Sequence, residues 1–292
     1  MGNLKSEIKR GVILAAGYGT RFLPVTKTIP KEMLPIIDVP SIEYIIREFI
    51  DSGISKILLI TSRRKKVLED YFDKEIELEE FLVSNNKKQL QNRITDFNAE
   101  FYFIRQKKML GTGDALMLAE DFTKGEPFVV AYPDDVVISK IPLTLRLINA
   151  FKDTGRTVIA VEEIASNDSG RYGIVTAEKS KNGLLVKKIH EKPKLKTNGS
   201  VIASLGRYLF TPELFAVLKM KNTAQQSKES ASLIDSLNHL AKDGMVVGVE
   251  IDGTRYDLGQ PAGYVKAITH AALHRVDIRD EYVKYLRALL GV

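Results

Sequence analysis

The sequence has no cysteine, and that absence removes several kinds of chemistry at once. A disulfide framework, a thiolate metal centre and a cysteine nucleophile are all excluded, and a reducing compartment is the natural expectation. Long apolar runs are missing too: "GVILAAG" (11–17) and "EPFVVAY" (126–132) fall far short of the roughly 20 residues that a membrane span requires. The N-terminal "MGNLKSEIKR" has no apolar core and no small-residue cleavage site, so no secretory signal and a cytoplasmic location are expected. Histidine is scarce, and the pair with i,i+4 spacing, His270 and His274, falls in a stretch read as a surface helix rather than a metal site. Serine nucleophiles lack the G-x-S-x-G elbow. No internal repeat, low-complexity tract or long linker divides the chain.

What remains is 292 residues with 44% hydrophobic content, enough for one large core or two modest ones. The formal charge of +6 comes from 43 basic and 37 acidic residues. Its denser basic stretches, "SRRKK" (62–66) and "NKKQ" (86–89), are short and lack interleaved aromatics, so they read as solvated helix faces. Neither a nucleic-acid partner nor a membrane partner is expected.

Apolar runs of strand length, "VILAA" (12–16), "KILLIT" (56–61), "EFYFIR" (100–105), "PFVVAY" (127–132) and "TVIAVEE" (157–163), alternate with amphipathic segments. "SIEYIIREFIDSG", "RKKVLEDYFD" and "GTGDALMLAEDF" carry helical spacing. The alternation predicts an α/β fold, a Rossmann-like, mostly parallel mixed sheet flanked by helices. After about residue 165 the pattern turns β-rich: a hairpin around Lys181-Asn182-Gly183, then the strand "VIASLGRYLF". Two helices near 212–219 and 229–242, the strand "MVVGVEI" and a helical tail from about 261 to 290 complete the reading. We therefore expect a single unit over 1–292, with a nucleotide-binding part at about 8–165, a smaller β-rich part at about 166–260 and a C-terminal helical tail at about 261–292.

The loop after the first strand, "AAGYGTR", stands where open parallel sheets bind phosphate. Gly17 and Gly19 let backbone N–H groups approach phosphate oxygens. No Lys-Ser/Thr pair follows as a P-loop would need, and Phe22 takes the place of the third glycine of a dinucleotide fingerprint. What is left is a glycine loop followed by Arg21 and Lys31 and stiffened by Pro24, Pro30 and Pro35, suited to holding and releasing a polyphosphate.

The whole stretch "LAAGYGTRFLPVTKTIPKEMLPIID" resembles the signature of sugar-nucleotide pyrophosphorylases, and "KTIPKEMLP" resembles the bacterial UTP–glucose-1-phosphate uridylyltransferase branch of that sugar nucleotidyltransferase family. The resemblance runs nearly end to end, through "EIELEEFLVSNNKKQLQNRI", "YGIV", "EKP", "GRYLF" and "DLG". It implies the nucleotide-diphospho-sugar transferase fold, UTP and glucose 1-phosphate as substrates, Mg2+ as cofactor and a homodimer or homotetramer. The same chemistry with dTTP or another sugar phosphate is the alternative.

Phosphoryl-type transfer needs charge neutralisation. "AYPDDVV" puts Asp134 and Asp135 just after a core strand, and Asp257 follows in "GTRYDLGQP". The resemblance implies that Asp134 and Asp257 hold the metal; Asp135, a second aspartate in the same turn, can instead point outward or cap it. In "IHEKPK" adjacent residues at a strand end face opposite ways, so Glu191 can accept from sugar hydroxyls while Lys192 reaches a phosphate. By resemblance, Arg21, Lys31 and Lys192 are catalytic, and Gly173, Glu191 and Gly206 line the sugar pocket. Nucleotide contacts are implied at Ala15, Ala16, Gly17, Gly19, Thr20, Glu32, Gln106 and Gly111, the Gln106 amide offering both a donor and an acceptor to uracil. Asp114 stands where the family usually has histidine.

Overall fold

The computed structural model describes residues 7–94, 97–181, 183–195, 199–224 and 232–291, with backbone alone at 221–224. Strand β1 (Arg10–Leu14) runs through the glycine loop and a small ribbon, β2 (Pro35–Ile36) and β3 (Val39–Pro40), into helix α1 (Ser41–Asp51). Next come β4 (Lys56–Thr61), the helices α2 (Lys66–Phe72), α3 (Ile76–Ser84) and α4 (Lys88–Gln91), and β5 (Glu100–Arg105). The helix expected over 111–122 is two short ones, α5 (Thr112–Met117) and α6 (Glu120–Thr123), because i→i−3 bonds from Leu118 and Ala119 tighten the chain between them.

β6 (Phe128–Ala131) then leads to β7 (Asp135–Ile138), α7 (Leu143–Thr154) and β8 (Thr157–Ala165). The β-rich part contains β9 (Gly173–Ser180), β10 (Gly183–Glu191) and β11 (Ser200–Phe210). β9 and β10 form the expected hairpin, with Ser180 opposite Gly183; Asn182 at its tip lies outside the described residues, as does part of the helix start read near 229. Finally come α8 (Glu213–Ala224), α9 (Leu233–Lys242), β12 (Val246–Glu250), β13 (Thr254–Asp257), α10 (Pro261–His274) and α11 (Arg279–Leu290).

Nine strands make one sheet in the order β5-β4-β1-β6-β11-β8-β12-β10-β9. It is parallel from β5 to β6, and β11 then enters antiparallel between β6 and β8. The β-rich part is therefore built onto the same sheet. Strand residues alternate between two cores. Ile13, Leu59 and Val129 face one side, with Ile42, Ile46 and Phe49 of α1 and Leu147 of α7. Val12, Leu58 and Val130 face the other, with Leu116, Leu214 and Leu237. Among the described residues no helix is long and apolar enough to cross a membrane.

Below the sheet's carboxyl edge, Arg207 of β11 is buried and grips Glu48 of α1 with Nε (3.1 Å) and Nη2 (2.9 Å), while Nη2 also donates to the Asp135 carbonyl at 3.2 Å. Glu48 in turn accepts from the Thr144 amide and hydroxyl, at 2.9 and 2.5 Å, at the start of α7. Removing one partner strands the other's charge. Arg207→Met is thus expected to lose about 3–5 kcal/mol in chemical denaturation, and the Arg207→Met/Glu48→Met pair to recover much of it. Additive losses in the double variant would refute this coupling.

Candidate active site

The site is assembled by an antiparallel ribbon in which β13 pairs with β7 and Asp257 stands opposite Asp135. One step beyond, the Leu258 amide donates to the Asp134 carbonyl at 2.7 Å. Residues more than a hundred positions apart are thereby locked side by side. Around them lies a cavity of about 310 Å3 whose lining includes Arg21, Asp134, Gly173, Glu191, Lys192, Gly206 and Asp257, seven of the residues singled out from the sequence.

On the nucleotide side, Ala15 and Ala16 are buried at the end of β1 and the chain emerges at Gly17. Gly19 turns it in the left-handed region (φ 68°), with its carbonyl held by the Thr26 hydroxyl at 2.8 Å, and Thr20 opens a single 3-10 turn. Arg21 reaches across to the Gly259 carbonyl at 3.3 Å. Lys31 forms an ion pair with Asp134. Burial works against the Lys31 charge, but Asp134 and Glu32 outweigh it and hold the ammonium above the ordinary lysine range. Burial likewise opposes ionisation of Asp134, and Lys31 with Arg21 overcomes it, so the carboxyl lies below its usual range.

Several sequence expectations change here. Glu32 is only 1% exposed, and both of its carboxylate oxygens accept a hydrogen bond from Lys65 Nζ at 2.7 Å. Its side chain braces the loop from beneath and is turned away from the cavity. Lys65, read as part of a solvated "SRRKK" face, is itself buried by this pairing, while Arg63 and Arg64 remain exposed. Burial lowers the Lys65 pKa, with Glu32 acting against the shift. Gln106 donates both amide hydrogens within the protein, to the Gly111 carbonyl (3.1 Å) and Asp114 Oδ2 (2.9 Å). Only its oxygen is left to offer a base. Asp135 is not outward-facing: it accepts from the Gly206 amide at 2.6 Å and pairs with Arg255, whose pKa rises because Asp135 outweighs burial.

On the opposite side, Glu191 ends β10, and Lys192 adopts a left-handed φ of 41° before Pro193, a costly conformation for a non-glycine residue. Their side chains face each other at 3.3 Å, both half exposed. Gly206 lies against the Tyr132 ring, where a Cβ would sit 2.7 Å from the tyrosine Cβ. Ser204 lines the same cavity, with its hydroxyl buried and unpaired among the described residues. Sequence reasoning missed Arg171, Tyr172 and Arg255. Tyr172 stands in "YGIV", with Arg171 just before it, and Arg255 in "GTRYDLGQP", but the aspartates they meet, Asp257 and Asp135, are far away in sequence.

A family model described as "Nucleotidyl transferase" matches residues 10–273. The chain belongs to the nucleotidyltransferase family. A curated UTP–glucose-1-phosphate uridylyltransferase of Staphylococcus haemolyticus (strain JCSC1435) is 39% identical over 287 residues, 97% of this chain and 99% of the relative. The UTP-bound UGPase from Acinetobacter baumannii aligns with a TM-score of 0.85 at 31% identity, over 96% of this chain and 98% of that one. A UDP-glucose pyrophosphorylase complexed with UDP-glucose aligns with a TM-score of 0.80 at 35% identity, over 92% and 100%.

For a nucleotidyltransferase the remaining question is whether these residues fit a divalent cation. A Cβ placed on Gly259 would lie 2.7 Å from Asp134 Oδ2, 3.1 Å from Asp257 Oδ1 and 3.4 Å from Arg21 Nη1. Two hard oxygen donors thus converge on a spot kept clear by glycine. Among the described residues no cluster of three or more His, Cys, Asp or Glu offers a complete cage. That suits Mg2+, which takes one or two carboxylates from protein and the rest from water and substrate phosphate. Gly259→Ala is expected to lower divalent-cation affinity by about tenfold or more, measured by Mn2+ titration, with the far-UV spectrum unchanged. Wild-type Mn2+ affinity in that variant would refute the convergence.

Proposed function

We propose that the protein is a uridylyltransferase that makes UDP-glucose and pyrophosphate from UTP and glucose 1-phosphate. One observation carries the reading: the paired aspartates, Arg21 and the Glu191–Lys192 pair border one cavity, so a triphosphate and a sugar phosphate can meet there. Near-full-length similarity to proteins named for this reaction supports it. The nucleotide part at about 8–165 supplies one wall, the part at about 166–260 the other, and the tail at about 261–292 completes a single unit.

In this reading the backbone from Ala15 to Thr20 wraps the triphosphate, and Arg21 and Lys31 neutralise it and the departing pyrophosphate. The Gln106 oxygen accepts from the imide N–H of uracil, and Gly111 lies against the ring. Glu32 contributes from below, through Lys65 and the loop. Glu191 and the backbone at Gly173 and Gly206 hold the hexose, and Lys192 holds its phosphate. When bound between Asp134 and Asp257, Mg2+ would withdraw charge from the α-phosphate. An oxygen of glucose 1-phosphate attacks the α-phosphorus in line, the bond to the β-phosphate bridging oxygen breaks, and its electron pair leaves with pyrophosphate. A phosphate dianion is already nucleophilic, so the side chains position and neutralise rather than transfer a proton. We also place the reaction in the cytoplasm, where nucleoside triphosphates are held. A homodimer or homotetramer is supported by α11, which buries none of its own residues and leaves Leu289 66% and Leu290 70% exposed.

Pyrophosphate release across several nucleoside triphosphates, dTTP among them, and several hexose 1-phosphates tests the assignment. UTP with glucose 1-phosphate should give the highest kcat/KM; a higher value with dTTP or another sugar would overturn the substrate reading. Lys31→Ala should lower kcat by about a hundredfold or more, and wild-type turnover would remove Lys31 from the mechanism. Lys192→Ala should raise KM for glucose 1-phosphate well above any change in KM for UTP.

A further inference from the structure

Arg171 holds none of the roles assigned above, yet it lines the same cavity as Arg21, Asp134 and Lys192. Its Nη2 donates to Asp257 Oδ2 at 2.8 Å and its Nη1 to Asp168 at 3.2 Å. Tyr172 donates to the same Asp257 oxygen at 3.1 Å, and the Gly259 amide occupies Oδ1 at 3.0 Å. The carboxylate already has donors on both oxygens. A cation bound directly to it would stand within a few ångström of the guanidinium, where like charges repel. The guanidinium has somewhere else to go. Its side chain is 41% exposed, and it borders the same cavity as Lys192. A guanidinium matches phosphate with two parallel N–H donors, which the Lys192 ammonium does not.

We infer that Arg171 and a divalent cation exclude each other at Asp257, and that the displaced guanidinium binds the phosphate of the sugar substrate. This rests on the reading of Asp257 as a metal ligand and of the cavity as a sugar-phosphate site. The metal would then do two things with one carboxylate: occupy it, and release a phosphate-binding arm. By linkage, whatever loosens Arg171 from Asp257 strengthens metal binding to the same degree. A residue that merely supports the fold would weaken both affinities.

The test is Mn2+ binding to the nucleotide-free enzyme, followed by electron paramagnetic resonance, for the wild type, Arg171→Met and Asp257→Asn, together with KM for each substrate. Arg171→Met should bind Mn2+ about two- to fivefold more tightly, the scale of a half-exposed ion pair. It should also raise KM for glucose 1-phosphate about tenfold, as expected for loss of charge-assisted bonds, and leave KM for UTP nearly unchanged. Arg171→Lys should recover part of the sugar-phosphate affinity. Unchanged or weaker Mn2+ binding in Arg171→Met overturns the inference, as does a parallel rise in both KM values with a lower melting temperature. If Asp257→Asn keeps full Mn2+ binding, the metal placement itself fails and this inference with it. If Asp257→Asn loses Mn2+ while Arg171→Met does not gain it, the inference alone fails.

Discussion

Four residue pairs of backbone, where β13 lies antiparallel to β7, hold together everything the site needs. Without that ribbon Asp134 and Asp257 would belong to distant parts of the chain. With it, Asp134, Asp135 and Asp257 occupy consecutive places around one backbone crossing, and the Leu258 amide closes it. The two aspartates of the tandem pair then diverge in task. Asp134 pairs with Lys31, while Asp135, on the wall of the same cavity, is taken up by the Gly206 amide and Arg255.

Charge in the site is balanced in layers. Beneath the glycine loop, Lys65 and Glu32 form a buried pair with almost no water contact. Above it, Lys31 answers Asp134, and on the far wall Arg171 answers Asp257. Neighbouring residues 31 and 32 carry opposite charges and meet different partners, Lys31 the Asp134 carboxylate and Glu32 the buried Lys65. Lys65, Lys31 and Arg171 are each thereby matched with a carboxylate, whereas Arg21 leans on the Gly259 carbonyl.

Much of this could be read from sequence because it is local. The glycines, prolines and cations between Gly17 and Pro35 mark a stiffened cationic loop within a single window, and continuous apolar strands signal a sheet covered on both faces. The parts that escaped reading are those whose meaning depends on a distant partner. Lys65 sits in a run of five basic and polar residues, and nothing in that run distinguishes the one lysine that meets Glu32. Arg171 and Arg255 look like ordinary surface arginines until the ribbon puts Asp257 and Asp135 beside them. Gln106 stood out for its two-sided amide, but the commitment of its amide hydrogens depends on where Gly111 and Asp114 fall in the turn before α5. The helix at 111–122 overran for the same reason: periodicity does not show a tightened turn.

The place of β11 has a bearing on how the chain comes off the ribosome. β6 is complete by Ala131, yet its free edge is covered by β11, which ends only at Phe210. During synthesis the parallel half of the sheet therefore stands for some eighty residues with an open, apolar border, the kind of border that templates misassembly. In the finished sheet β8 does not touch β6, because β11 lies between the two. The same strand that carries Gly206 and Arg207 is thus the late-arriving piece that covers the edge of β6, and the cavity it borders is completed only later still, when β13 brings Arg255 and Asp257 to β7.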